Sequence, residues 1–293
     1  MLDTRPTRLA YQVELSYDVR AGNCDFLFCV QAARTPHQTV VREQLHLSQA
    51  VPVRELQAPG NTSRRLHVTA MPGPLVLRYD AEVDVIFHHA NPADVAETWV
   101  RNLPAEVLPY LCASRYCESD LMAAFALREF GAMWQGHGRA QAICDWVQRH
   151  IAFESGSSLP STTAMQTLAQ GRGVCRDSAH VMIAICRALN MPARFTTGLD
   201  YGADPALGPP DFHAYVEVYL SGRWYLFDPS GTAIPRGLLR ISTGLDAADN
   251  AYATLFGDVQ PLGRRLFVTP VADAQGHTTW PQRTGEALST AAS

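Results

Sequence analysis

The chain has 293 residues, 47% of them hydrophobic and 18% charged, with a formal net charge of −4. That length suits one large or two ordinary domains, and the charge balance offers no basic surface for nucleic acid or an anionic membrane. No Lys occurs anywhere, so every positive charge is Arg, which excludes P-loop and Schiff-base lysine chemistry.

The opening MLDTRPTRLAYQ holds no apolar h-region, and no run of about 18 apolar residues follows, so neither a signal peptide nor a membrane span is expected. Seven Cys, at positions 24, 29, 112, 117, 144, 175 and 186, make an odd count in a long chain. Reduced thiols in a cytoplasmic setting fit that better than a disulfide framework. Residues 8 to 92 read as β-structure, because LAYQVELSYDV and LVLRYDAEVDVIF alternate apolar and polar with period 2. Pro59-Gly60-Asn61 and Pro72-Gly73-Pro74 are turn signals, and short strands so punctuated predict a β-sandwich. Asn91-Pro92 opens a polar connector, which sets domains of 1–95 (N-terminal β-sandwich), 96–271 (a second, mixed helix and strand domain) and 272–293 (polar tail).

After the connector the period changes. LMAAFALREFGAMW and AQAICDWVQRHIAF carry helical spacing. ESGSSLPSTT breaks it, and Thr162 or Thr163 can cap a short helix AMQTLAQ that ends at Gly171 and Gly173. The next helix begins at Cys175. A helix start favours a thiolate, and its free amides can hold an oxyanion formed on a carbonyl. Cys175, Ala179, Met182, Cys186 and Leu189 form its apolar stripe, with Arg176, His180 and Arg187 on another face. An unselected Cys is usually a small buried hydrophobe. Cys144 and Cys186 keep that reading, whereas Cys175 follows a glycine break at a helix start. The Cys24–Cys29 and Cys112–Cys117 spacings are too long for the short-spaced pairs of a structural zinc site, so no metal is expected.

Strands are predicted in RFTTGLD, HAYVEVYL and RWYLFD, then a helix in DAADNAYATLF and a last strand in RRLFVTP. This order of strands, helices and strands is α+β. In HAYVEVYL, His213, Tyr215, Glu217 and Tyr219 share the polar face, opposite Ala214, Val216, Val218 and Leu220. A two-residue turn at Ser221-Gly222 would set Tyr219 against Trp224 and Glu217 against Leu226, with Asp228 diagonal to His213 on the same face. A three-residue loop would send Asp228 to the other face. An acid so placed fixes an imidazole's tautomer, and the imidazole takes a thiol proton. Asp177 and Asp211 are rival acids; Asp177 suits the helix start, and Asp211 suits the loop before His213.

GRGVCRDSAHVMIAICRALNMPARFTTGL followed by DFHAYVEVYLSGRWYLFDPSG resembles the transglutaminase-like superfamily, with gaps of 38 residues (213 − 175) and 15 residues (228 − 213). PGNTSRRLHVTAMPGPLVLRYDAEVDV, SRYCESD and GLDAADNAYATLFG are similar to its bacterial members. The resemblance implies a papain-like core, with the Cys helix on an antiparallel sheet, and a thiol acyl-enzyme. Cys175 is then nucleophile, His213 general base and Asp228 orienter. It leaves open peptidase or amidase hydrolysis, glutamine γ-glutamyl transfer, or a non-catalytic peptide-binding module. Hydrolysis is favoured, because no residue signal marks a water-excluding amine site. The partner would be a peptide or protein substrate, and no cofactor or calcium loop is expected. Trp224, Tyr215 and Asp211 are candidate groove residues, and YGADPALGPPD a candidate lid. The missing Lys is either Arg-favouring codon usage or avoidance of self-labelling.

Overall fold

The computed structural model describes residues 6–57, 63–207, 210–272 and 276–291. The turn signal Pro59-Gly60-Asn61 lies outside them. The first part consists of β1 (Thr7–Phe28), β2 (Gln38–Leu47), β3 (Val53–Leu56), β4 (Arg65–Ala70), β5 (Gly73–Val85) and the short β6 (His88–Ala90). The alternation read from the sequence is the pleat itself. Leu9, Tyr11, Val13, Leu15 and Tyr17 of β1 are buried, and so are Leu75, Leu77, Tyr79, Ala81 and Val83 of β5. β1 and β5 pair antiparallel with Leu9 opposite Val83 and Val13 opposite Tyr79, so both apolar rows face one core. The strands lie in the order β2-β5-β1-β4-β3 as one curled antiparallel sheet.

Next come α1 (Ala123–Phe130), α2 (His137–His150), β7 (Ala152–Phe153), α3 (Ala164–Gln170), β8 (Arg172–Gly173) and α4 (Cys175–Ala188). Thr163 caps α3 in a reciprocal exchange with Gln166, as the STT signal implied. β9 (Ala193–Asp200), β10 (Phe212–Leu220), β11 (Arg223–Phe227) and β12 (Leu238–Gly244) form a second antiparallel sheet, ordered β11-β10-β9-β12. One face of β10, Ala214, Val216, Val218 and Leu220, packs in the same core as α4. The other face contributes Tyr215, with Leu199, Leu226, Leu239 and Ile241 of its neighbours, to the core of the first sheet. The molecule is therefore layered as helix, sheet and sheet, with the second sheet buried on both sides.

That layering buries the polar face of α4 and corrects three expectations. On that face His180 and Arg187 are buried. Arg187 donates to the carbonyls of Ala193, Cys112 and Leu245, and so replaces the water it has lost. DAADNAYATLF is not a helix. Asp249 accepts the amides of Leu245 and Asp246, and Asp246 accepts that of Ala248, so side chains compete for the backbone bonds a helix would need. From Ala253 the chain becomes β13 (Ala253–Pro270), which pairs with β1 over almost its whole length. The expected boundary at 271 therefore fails: a strand assigned to the second domain completes the first sheet. Finally, the tail is not loose. β14 (Ala287–Ser289) pairs with β6, Leu288 joins the first core and Ala287 the second.

Leu288→Ala tests the last correction. A loose tail would tolerate it within about 0.5 kcal/mol. Leu288 is only 3% exposed, so a loss of about 2–4 kcal/mol in urea unfolding is expected.

Candidate active site

α3 ends at Gly171, whose φ of +66° is left-handed and whose amide returns to the Thr167 carbonyl at 2.9 Å. Gly173 must also be glycine, since a Cβ there would lie 2.7 Å from that of Asp177. That close approach lets Asp177 Oδ2 accept the Val174 amide at 2.8 Å. Asp177 thus serves the helix start and takes no part in orienting the imidazole. Arg176, read from the sequence only as part of the polar face of this helix, clamps the corner. Its Nη2 donates to Asp177 Oδ1 at 2.8 Å, to Ser158 Oγ at 2.9 Å and to the Leu159 carbonyl at 2.9 Å. Ala152–Phe153 runs parallel to Arg172–Gly173, which ties the end of α2 to the segment that leads into Cys175. Cys175 itself is half-buried and free.

His213 is the second residue of β10, and its Nε2 lies 3.2 Å from Asp228 Oδ1, both groups 5% exposed. The Cys175 thiol is close enough to the ring to favour its protonated form. With Nε2 engaged by the carboxylate, Nδ1 is the nitrogen left for the sulfur. The structure thus brings together the three residues singled out for chemistry. β10 and β11 pair with Tyr219 opposite Trp224 and Glu217 opposite Leu226, the register of a two-residue turn.

Asp228 is held by more than His213. Its Oδ1 accepts the Ser230 amide at 3.1 Å and the Ser230 hydroxyl at 2.6 Å, and its Oδ2 accepts the Ala233 amide at 2.8 Å. Gln148 of α2 holds the Asp228 carbonyl at 2.7 Å. Ser230 and Gln148 were missed in the sequence. The signal for Ser230 was DPSG, since an Asp followed two residues later by Ser makes an Asx turn; nothing local marked Gln148. Burial pushes the Asp228 carboxyl up, but His213 and these donors outweigh it and hold it below the usual range. Burial likewise pushes His213 down, and the Asp228 carboxylate and Cys175 more than reverse that, leaving it well above the ordinary imidazole value. The pocket therefore favours the imidazolium.

The proposed groove residues fare differently. Tyr215 is fully buried in the first core, so it cannot touch a substrate. Trp224 is 7% exposed and packs against Tyr110, Tyr219 and the Arg194 guanidinium, which lies 4.1 Å from its ring. It pairs with Tyr219, six residues from His213 and about 20 Å along the strand. The face that read as polar is occupied by a buried cluster, with Glu217 bound to Arg194 at 2.7 Å and to Arg240. Asp211 remains accessible beside His213, but pairs with Arg264. Asp200, directly before the candidate lid, is half-buried at the end of β9; burial pushes its carboxyl up against the opposing pull of His213. Positions 208 and 209 of that lid lie outside the described residues. Burial pushes the Cys186 and Cys144 thiols up, in keeping with inert packing roles. Among the described residues no group of three His, Cys, Asp or Glu could hold a metal ion.

The pattern of the Transglutaminase-like superfamily matches residues 130–229, and that of the bacterial transglutaminase N-terminal domain matches residues 8–105. A crystal structure from Cytophaga hutchinsonii, provisionally named a cysteine protease, is 32% identical with a TM-score of 0.87, over 97% of this chain and 97% of that one. The periplasmic domain of TgpA from Pseudomonas aeruginosa, bound to ethylmercury, is 15% identical with a TM-score of 0.38, over 78% of this chain and 92% of that one. An uncharacterized protein of Mycobacterium leprae is 26% identical over 115 residues, 38% of this chain and 41% of that protein.

Iodoacetamide at about pH 6 should label Cys175 first, because its neighbour stays an imidazolium there. Asp228→Asn removes the carboxylate that favours the imidazolium, and should slow that labelling about ten-fold at pH 6–7, read by peptide mass mapping. An unchanged rate would show that the carboxylate does not act through His213.

Proposed function

The chain belongs to the transglutaminase-like superfamily, a family of cysteine-dependent enzymes, and on that premise we propose that it hydrolyses peptide or carboxamide bonds through a thioester on Cys175. The observation that supports this reading is the order of groups across the site: a reachable sulfur at a helix start, a buried imidazole, and a carboxylate fixed by His213, Ser230 and the Ala233 amide.

In the proposed reaction Cys175 gives its proton to His213 and its sulfur attacks the carbonyl carbon. Charge gathers on the carbonyl oxygen, where the first-turn amides of α4 can meet it. The C–N bond breaks, His213 passes the proton to the departing amine, and a thioester remains. His213 then takes a proton from water, hydroxide adds to the thioester, and the acid leaves as the thiolate is restored. Asp228 stabilises the imidazolium at each of these points and keeps the ring in one orientation. The partner is a peptide or protein chain. The compartment we propose is the cytoplasm, in keeping with seven free thiols.

A peptide-library assay tests the reading. Cys175→Ala should lower hydrolysis at least about 10³-fold with the fold intact. If labelled amine is instead incorporated into a Gln-containing protein in a Cys175-dependent way, transfer replaces hydrolysis. Equal, sluggish alkylation of all seven thiols would point to a binding module.

A further inference from the structure

β13 is an 18-residue strand that pairs with β1, and among the described residues no strand pairs with its other edge. A long open edge is a template for another chain. This one also carries exposed apolar side chains, Phe256 at 52% and Phe267 at 55%.

The geometry points to a second copy of this chain as the partner, joined edge to edge through antiparallel pairing of the two β13 strands about a two-fold axis between Pro261 and Leu262. Three independent features of the strand agree on that register. The first is the direction of the backbone groups. The Tyr252 carbonyl accepts from Cys29 at 2.8 Å, and the Val271 amide donates to the Arg8 carbonyl at 2.9 Å. Counting inward in steps of two, residues 254 and 256, and 269, 267 and 265, turn their backbone groups toward β1. Residues 253, 255 and 257, and 270, 268, 266 and 264, turn theirs outward. A two-fold at this centre sets 253 against 270, 255 against 268 and 257 against 266, outward group against outward group.

The second is the face of the sheet. Directly opposed residues must share a face. Ser16 pairs with Gly263 but Tyr17 pairs with Pro261, so Leu262 is an extra, bulged residue that shifts the alternation between the two halves of β13. Because of that shift Phe256 and Phe267, opposite the solvent-face residues Asp25 and Gln12, lie on the same outer face. The two-fold sets Phe256 against Phe267 of the second copy, twice.

The third is charge. The same operation sets Asp258 against Arg265 of the second copy, also twice. Both are exposed, and Arg265 has only a 3.6 Å approach to Glu14 within its own chain. Pro261 at the axis and Pro270 in the outward position opposite residue 253 have no amide to offer, so the inner flanks, 254–259 and 264–269, carry the pairing. The dimer joins two curled sheets into one and covers the aromatic rows, an isologous interface in which each half satisfies the other.

Sedimentation velocity on the full chain tests the inference. The wild type should move from 32.2 kDa toward twice that mass as concentration rises to about 100 μM. Asp258→Arg should weaken the dimer at least about ten-fold, and Asp258→Arg with Arg265→Asp should restore it. The register is checked separately: Thr254→Cys with Thr269→Cys should give a covalent dimer on oxidation, absent from either single variant, since this pair is narrow enough for a disulfide. A wild type that stays monomeric, a dimer indifferent to Asp258→Arg, or no covalent dimer from the double cysteine variant overturns the proposal.

Discussion

His213 lies on β10 and Asp228 directly follows the neighbouring β11, and a slip of one residue between those strands would put them on opposite faces. The turn at Ser221 and Gly222 decides this. Both residues have positive φ, +45° and +80°, the signature of the tight hairpin turn whose twist matches its strands. Gly222 adopts this freely; Ser221 does so against its Cβ and has to be held. The holding comes from the connector ahead of the helices. The Ser221 amide donates to the Ala96 carbonyl at 2.9 Å, and the Ala96 amide returns to Ser221 Oγ at 2.9 Å. Glu97 bridges Leu220 and then fixes Arg139 at the start of α2. The same connector thereby links the turn that sets the register to the helix whose Gln148 holds the Asp228 carbonyl.

A hairpin with one wet face could still breathe, and this one has none. β10 is buried on the α4 side by its aliphatic residues and on the other side by Tyr215 and the Arg194–Glu217–Arg240 cluster. Buried ion pairs of this kind contribute little net stability, because desolvation offsets much of the attraction, but removing one partner strands a charge and costs about 3–5 kcal/mol. The effect is specificity of register: sliding β9, β10 or β12 by a residue would separate Glu217 from its two guanidiniums. His213 lies on the same face of β10 as Glu217, four residues along the strand, and so takes its rigidity from this charge cluster.

Local signals carried much of this. The Cys175 helix start, the Thr163 cap, the alternation of β1 and β5 and the hairpin register all follow from neighbours within a turn or a strand. What escaped was set by partners far away in sequence. His180 and Arg187 read as a polar face because nothing nearby shows that Tyr116 stacks on His180 at 5.0 Å, or that carbonyls from three separate segments meet Arg187. Tyr215 and Trp224 read as groove residues because alternation tells which residues share a face, not which face meets solvent. Ala253–Leu255 read as helix because local propensity is a weak preference, and 22 residues of β1 outweighed it.

The return of β13 to the first sheet has a consequence for the site. The segment entering β13 presents Tyr252, which stacks on Phe212 with ring centres 4.5 Å apart and planes 4° from parallel. Farther along the same strand, Arg264 binds Asp211. Phe212 and Asp211 are the two residues directly before His213, so the base is approached by a segment pinned at both positions to a strand of the other sheet. On the far side of that approach Trp280 stacks on Tyr201 at 5.2 Å, so the C-terminal segment holds the loop that leaves β9. A chain cut after the hairpin would retain Cys175, His213 and Asp228 in sequence, yet would lose the contacts that hold the entry to His213. The pairing of β13 with the opening strand thus ties the first sheet to the position of that imidazole.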